Sequence, residues 1–225
     1  MFKSLPLVAG GCLLAAHGFV RRVTGKMPPP GVPVVIAANH SSLFDGLVIC
    51  TELTWRRYGT VHPITTTDAF VNPFYGWILR SIKAIPIDRS DHVSAVTALT
   101  TALGYLKRGE PVTIFPEGHL NNGKSLRLPR PGMALLALES GAAVLPVGLR
   151  NTAEAFPPDK PMRFRRCVEI HIGEPLPTAE LSDRYHASDA PGRQKLVESL
   201  SYHAMAKIAE LSGQTLHRRM RPPAD

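Results

Sequence analysis

His40 and Asp45 stand five positions apart in the run Asn39-His40-Ser41-Ser42-Leu43-Phe44-Asp45-Gly46. An imidazole is basic near neutral pH, so it can take a proton from a hydroxyl. A carboxylate on its other nitrogen fixes the tautomer and stabilises the imidazolium that forms. The pair brings no serine or cysteine nucleophile of its own. The attacking group then belongs to a substrate, which points to transfer of a group onto a bound hydroxyl. The plainer alternative is that His40 ends a strand and that Asp45 or Ser42 caps the helix that follows.

Two further runs carry chemistry. In Ile114-Phe115-Pro116-Glu117-Gly118-His119, Glu117 follows an apolar stretch and Gly118 permits a positive φ or a close backbone approach. Glu117 there holds a substrate hydroxyl or shapes an anion-binding turn, and an ordinary turn is the alternative. In Ala84-Ile85-Pro86-Ile87-Asp88-Arg89, Arg89 at a strand end can grip a phosphate or carboxylate with two parallel hydrogen bonds. An Asp88–Arg89 surface pair is the competing explanation.

These residues need a scaffold, and the hydrophobic pattern supplies one. Residues 32–38 form a continuous apolar run of strand type, and residues 45–55 a helix. Strands are expected at 60–65, 84–87, 111–115, 144–149 and 167–172, and short helices at 73–82 and 133–140. The 91–107 segment reads as a helix with Val93, Val96, Leu99, Leu103 and Leu106 on one face, Asp91 at its start and Gly109 beyond its end. Leu196, Leu200, Ala204, Ile208 and Leu211 define a last amphipathic helix closed by Gly213. Alternating strands and helices predict a single α/β domain with a largely parallel central sheet flanked by helices. Sites in such sheets lie beyond the carboxyl ends of strands, where His40 and Glu117 can meet on one rim.

The chain has 225 residues, 44% hydrophobic and 20% charged, which suits one globular domain with a real core. Its formal charge of +8 fits a phosphate-bearing substrate or an anionic membrane surface. No stripe of aromatics interleaved with Lys and Arg suggests nucleic acid. Cys12, Cys50 and Cys167 are few and widely spaced, which argues against a disulfide scaffold or a zinc site. Residues 5–20 are apolar apart from His17, with Lys3 before them and Arg21, Arg22 and Lys26 after. As a helix this segment reaches only about 24 Å, short of a bilayer core of roughly 30 Å. It reads as a membrane-associating helix lying in the interface. A cleaved signal peptide or a core helix are the alternatives. Met27-Pro28-Pro29-Pro30-Gly31 cannot continue a helix, so residues 1–26 are assigned to the membrane-associating segment and 27–225 to the folded domain.

The three runs occur in an order and at intervals that resemble the lysophospholipid acyltransferases, particularly the 1-acylglycerol-3-phosphate acyltransferases. The family's His-x4-Asp block is met by His40 and Asp45, its arginine block by Arg89, and its Phe-Pro-Glu-Gly block by Phe115 to Gly118. A fourth, proline-containing apolar block is met by Val144-Leu145-Pro146-Val147. The resemblance covers roughly residues 30–175. It implies an enzyme at the cytoplasmic face of a membrane that moves a fatty acyl group from acyl-CoA or acyl-carrier protein to a lysophospholipid hydroxyl, with no metal or resident cofactor. By that resemblance His40 and Asp45 are catalytic, Arg89 binds the acceptor's phosphate, and Glu117 with Gly118 shapes the acceptor site. Lysophosphatidate is the expected acceptor.

The chain also departs from the pattern. The third block of the family usually continues Gly-Thr-Arg-Ser, whereas His119, Leu120 and Asn121 follow Gly118 here. Lys124, Arg127 or Arg130 can replace the missing cation, or the acceptor is a different lysolipid. Two other classes compete with acyl transfer. Gly118-His119-Leu120-Asn121-Asn122-Gly123-Lys124-Ser125 spells the phosphate-loop pattern of NTPases, but Pro129 and Pro131 prevent a useful helix after the lysine. A non-catalytic membrane-surface protein with the same fold is the other.

Overall fold

The computed structural model describes residues 18–55, 59–156 and 167–222. Seven strands form one sheet: β1 (Val20–Thr24), β2 (Val34–Ala38), β3 (His62–Thr66), β4 (Ile85–Ile87), β5 (Val112–Ile114), β6 (Ala143–Arg150) and β7 (Val168–Ile172). Their order is β1-β7-β6-β2-β5-β3-β4, and every neighbouring pair is parallel except β6–β7. The helices are α1 (Asp45–Trp55), α2 (Pro73–Ser81), α3 (His92–Leu106), α4 (Gly132–Ser140), the short α5 (Thr152–Ala155), α6 (Ala179–Ala187) and α7 (Ala190–Ser212).

The central strand β2 is buried over its whole length, as a strand covered on both faces must be. Its side chains alternate. Val35 and Ala37 join a core made with Ala98, Leu106, Met133 and Ile208, while Val34, Ile36 and Ala38 join a second core with Ile49, Leu53, Leu149 and Ile170. The strands β2, β4, β5 and β6 run in parallel, so their carboxyl ends open on the same rim. The expected largely parallel α/β architecture is therefore present.

Three of these elements, β1, the short α5 and α6, were absent from the sequence reading. β1 lies within the segment assigned to the membrane-associating piece, yet it pairs with β7 at the sheet edge, and Phe19 and Val20 are buried in the second core. Residues 5–17 of the expected interfacial helix, and Cys12, lie outside the described residues. The other additions are α5 and α6, and α7 starts at Ala190, ahead of the apolar stripe that begins at Leu196, with Asp189 accepting from the Gly192 N–H as its cap. Among the described residues no helix is long and apolar enough to cross a membrane.

Two polar features lock the frame. Asn39, fully buried just past β2, donates to the Leu149 carbonyl at 2.9 Å and accepts from the Leu149 N–H at 2.7 Å. Its amide thus continues the β2–β6 ladder by one rung and holds the next residue, His40, at a fixed height. The buried His62 ring stacks on Tyr105, with Nε2 2.7 Å from Glu110 and Nδ1 3.3 Å from the Lys83 carbonyl. Both ring nitrogens thus have an oxygen partner, which fixes the ring between β3 and the loops around it.

Gly148 marks where α7 crosses β6. A Cβ there would sit 2.3 Å from the Leu211 carbonyl carbon and 2.4 Å from the Ser212 nitrogen, both backbone atoms that cannot swing aside. Gly148→Ala is expected to destabilise the fold by about 1–3 kcal/mol through overpacking, read as a lowered Tm or denaturant midpoint. An unchanged midpoint would show that α7 is free to lift from the sheet.

Candidate active site

His40 leaves β2 at its carboxyl end, and Asp45 opens α1 after a tight turn in which the Asp45 N–H donates to the Ser42 carbonyl. The His40 Nδ1–H donates to Asp45 Oδ2 at 2.9 Å. That oxygen also accepts the Ser41 and Ser42 backbone N–H groups at 2.8 Å each. Asp45 is 0% exposed, and its carboxylate sits at the N-terminus of α1. The imidazole lies flat on Phe115, ring centroids 4.1 Å apart. With Nδ1 committed to Asp45 and one face covered, Nε2 is the nitrogen able to exchange a proton.

Glu117 follows β5 and is 2% exposed. Oε1 accepts from the His40 backbone N–H at 2.8 Å and from Asn121 Nδ2 at 2.8 Å; Oε2 accepts from the Arg127 N–H at 2.7 Å and from Asn121 Nδ2 at 3.1 Å. Burial pushes the Glu117 carboxyl above the ordinary glutamate range, and these hydrogen bonds pull it back. Asn121 also donates from its backbone to the His40 carbonyl at 2.6 Å and from Nδ2 to Gln214 at 3.0 Å. Glu117 was assigned to acceptor binding, together with Gly118. Neither lines the cavity beside His40. The Glu117 carboxylate is turned inward, where three groups engage it, so it holds the His40 backbone in place.

The cavity has a volume of about 760 Å³. Its wall is mostly apolar, with Phe44, Ile78, Phe115 and Phe156 among its residues, and His40, Arg89 and His119 face it as well. Phe44 stacks on Phe156 at 4.4 Å, and Ser42 Oγ donates to the Phe156 carbonyl, so the aromatic wall is tied to the turn between His40 and Asp45. The structure therefore brings His40 and Arg89 to one cavity, with Asp45 and Glu117 buried behind His40. Asn39, Asn121 and Gln214 belong to the same framework and were not singled out from sequence. Only a side-chain amide next to a catalytic block hinted at the first of them.

Arg89 reaches His119, its Nη1 lying 3.3 Å from Nδ1. From the other side Arg130 Nη2 lies 3.2 Å from His119 Nε2. Gly118, at φ +70°, lets the Arg130 stem pass over it; a Cβ there would lie 2.7 Å from Arg130 Cδ. The phosphate-loop spelling has no structural counterpart: no helix opens at Lys124, and Asn122 Oδ1 takes the Lys124 and Ser125 N–H groups that would have to face a phosphate.

A mostly parallel α/β sheet whose rim turns a histidine, paired with a buried carboxylate, toward an apolar cavity is the class of scaffold described so far, and comparison with known proteins gives it a family. Residues 20–150 match the acyltransferase family model, and the chain belongs to that family. It is 31% identical over 132 residues to the chloroplastic 1-acyl-sn-glycerol-3-phosphate acyltransferase LPAT1 of Arabidopsis thaliana, covering 59% of this chain and 36% of that one. It is also 31% identical over 148 residues to a lyso-ornithine lipid O-acyltransferase of Pseudomonas aeruginosa, covering 64% and 53%. The chain thus spans about a third to a half of the length of these relatives. The crystal structure of the 1-acyl-sn-glycerophosphate acyltransferase PlsC from Thermotoga maritima shares the fold, with a TM-score of 0.64 and 22% identity over 94% of this chain and 83% of that one.

Proposed function

We propose that this protein transfers a fatty acyl group from an acyl thioester, acyl-CoA or acyl-carrier protein, to the free hydroxyl of 1-acylglycerol-3-phosphate, giving phosphatidate. The observation that carries the reading is His40, paired with the buried Asp45, facing an apolar cavity together with Arg89. The acceptor hydroxyl attacks the thioester carbonyl as His40 Nε2 takes its proton. The tetrahedral intermediate then collapses, the carbon–sulfur bond breaks, and the imidazolium returns the proton to the departing thiolate. Asp45 keeps Nδ1 protonated and stabilises the imidazolium. Arg89 binds the acceptor's phosphate, and the apolar wall takes acyl chain.

Membrane association at the cytoplasmic face follows from the same reading. Leu43 and Phe74, 62% and 59% exposed, sit at the cavity, where a lipid must enter. A lysolipid without a phosphomonoester is the second acceptor, favoured by Leu120 where the resembling proteins carry arginine and by the likeness to a lyso-ornithine lipid acyltransferase.

The test incubates purified protein with labelled acyl-CoA and a panel of lysolipids and separates the products. Phosphatidate formation is expected; no product from any acceptor would end the reading, and product from lyso-ornithine lipid alone would favour the second acceptor. Arg89→Ala is expected to raise KM for lysophosphatidate roughly 10–100-fold, the value of a lost charge-assisted hydrogen bond, with a smaller change for an unphosphorylated acceptor. Equal losses for both would remove Arg89 from phosphate binding.

A further inference from the structure

His119 is flanked by two arginines in a way its own chemistry cannot satisfy. A neutral imidazole has one nitrogen that accepts and one that donates. Arg89 and Arg130 are always protonated, and each directs an N–H at a different ring nitrogen. Whichever tautomer forms, one contact sets N–H against N–H. The charges acting on His119 are all basic: Arg89 from the loop after β4, Arg130 and Arg127 from the loop before α4, and His40 from the end of β2. Asp68, in the single turn Thr67–Phe70 that follows β3, acts on Arg89.

We propose that Arg89, His119 and Arg130 form one receptor for a phosphomonoester dianion, and that His119 takes up a proton as the dianion binds. The assignment rests on the lysophosphatidate reading above and adds two residues and a proton to it. An anion seated among the three side chains turns every N–H outward onto phosphate oxygen and resolves the donor–donor contact. Arg130 supplies the cation that position 120 lacks. Its backbone N–H is fixed on the Pro116 carbonyl at 2.8 Å, and its stem crosses the Cβ-free Gly118. Arg127 spends its guanidinium on the Leu120 carbonyl at 3.3 Å, which separates its role from that of Arg130.

Proton uptake has a direction. Desolvation and the cations Arg89, Arg130 and Arg127 hold the unliganded imidazole below the ordinary histidine range, so it is neutral at pH 7.5. A dianion beside it raises its proton affinity. Binding therefore draws a proton from solution, and KM for a phosphomonoester acceptor climbs as pH rises above neutral, by at most about tenfold per pH unit for one coupled proton.

Two measurements test this. The first is calorimetric titration of the full chain with glycerol 3-phosphate at pH 7.5, in buffers of different ionisation enthalpy, which counts protons taken up. Inorganic phosphate and glycerophosphocholine are the comparison ligands. Uptake with glycerol 3-phosphate, its loss in H119Q, and no uptake with the phosphodiester are expected; uptake unaltered in H119Q overturns the proposal. Inorganic phosphate binding as tightly as glycerol 3-phosphate would make the site a receptor for free phosphate rather than for a lipid headgroup. The second is steady-state kinetics. R130Q is expected to raise KM for lysophosphatidate roughly tenfold or more while sparing monoacylglycerol, and H119Q to flatten the pH profile of that KM. An unchanged KM in R130Q overturns the assignment. His119 and Arg130 are exposed, so both variants keep the fold. If the wild type acylates no lysolipid but binds glycerol 3-phosphate with His119-dependent uptake, acyl transfer fails and the receptor stands; turnover without uptake is the reverse.

Discussion

His40→Ala is expected to lower kcat for acyl transfer by about 10²–10⁴-fold, the usual worth of a positioned general base. The fold should survive. The Asp45 carboxylate keeps two backbone donors, Ser41 N–H and Ser42 N–H, when the imidazole is gone. The buried charge is then still compensated, which limits the loss of stability to about 1 kcal/mol. KM for the acceptor should change little, because Arg89 remains. Turnover assays and thermal unfolding on the same preparation check both halves. A variant that keeps near-wild-type kcat would mean that the hydroxyl loses its proton to some other group and that the His40–Asp45 pair only shapes the turn.

Glu117→Gln should have the second largest effect, and it acts at a distance from the substrate. Both carboxylate oxygens accept backbone N–H groups, His40 on one and Arg127 on the other. Glutamine keeps one oxygen and places an NH₂ where the other stood. One backbone N–H then faces another donor inside a buried site, at a cost of about 1–3 kcal/mol. Asn121 cannot flip to rescue it without giving up the Gly123 N–H that its Oδ1 accepts. Where the orphaned donor is the His40 N–H, the imidazole drifts from its register over Phe115, and an error near 1 Å in a reacting group costs roughly 10² in kcat. The expected result is a variant with both a lower denaturant midpoint and a lower kcat, at unchanged acceptor KM. A raised KM with an unaltered midpoint would instead place Glu117 against the substrate.

That distinction shows what the sequence can and cannot carry. The apolar runs of β2 and β6 and the His-x4-Asp spacing are local, so the strand rim and the His40–Asp45 pair are legible from order alone; the α3 helix is legible too, but its buried face runs through Ala98, Ala102 and Leu106 and leaves the expected Val93 and Val96 exposed, because small side chains rather than valines meet the sheet. The role of Glu117 is not, because its partners are backbone groups at positions 40 and 127, brought together only when β2 and β5 pair. β1 is hidden because Val20–Thr24 carries Arg21 and Arg22 and continues an apolar segment that looks helical. α6 buries little beyond Ser182 and Tyr185, so no apolar stripe announces it. Among three candidate cations, Arg130 is singled out by a stem that folds over Gly118, a path invisible in the linear order.

The strand-like bridge between Ser125 and Thr215, with its bonds from Leu126 N–H to the Thr215 carbonyl and from Thr215 N–H to the Lys124 carbonyl, joins the loop behind His40 to the tail just beyond α7. Gln214 adds a second stitch through Asn121. The His40 turn is thus braced by a segment that follows every strand of the sheet in chain order. A nascent chain can therefore have made all seven strands and still lack these braces, so the turn that carries His40 reaches its final rigidity only after the sheet's own strands have been made.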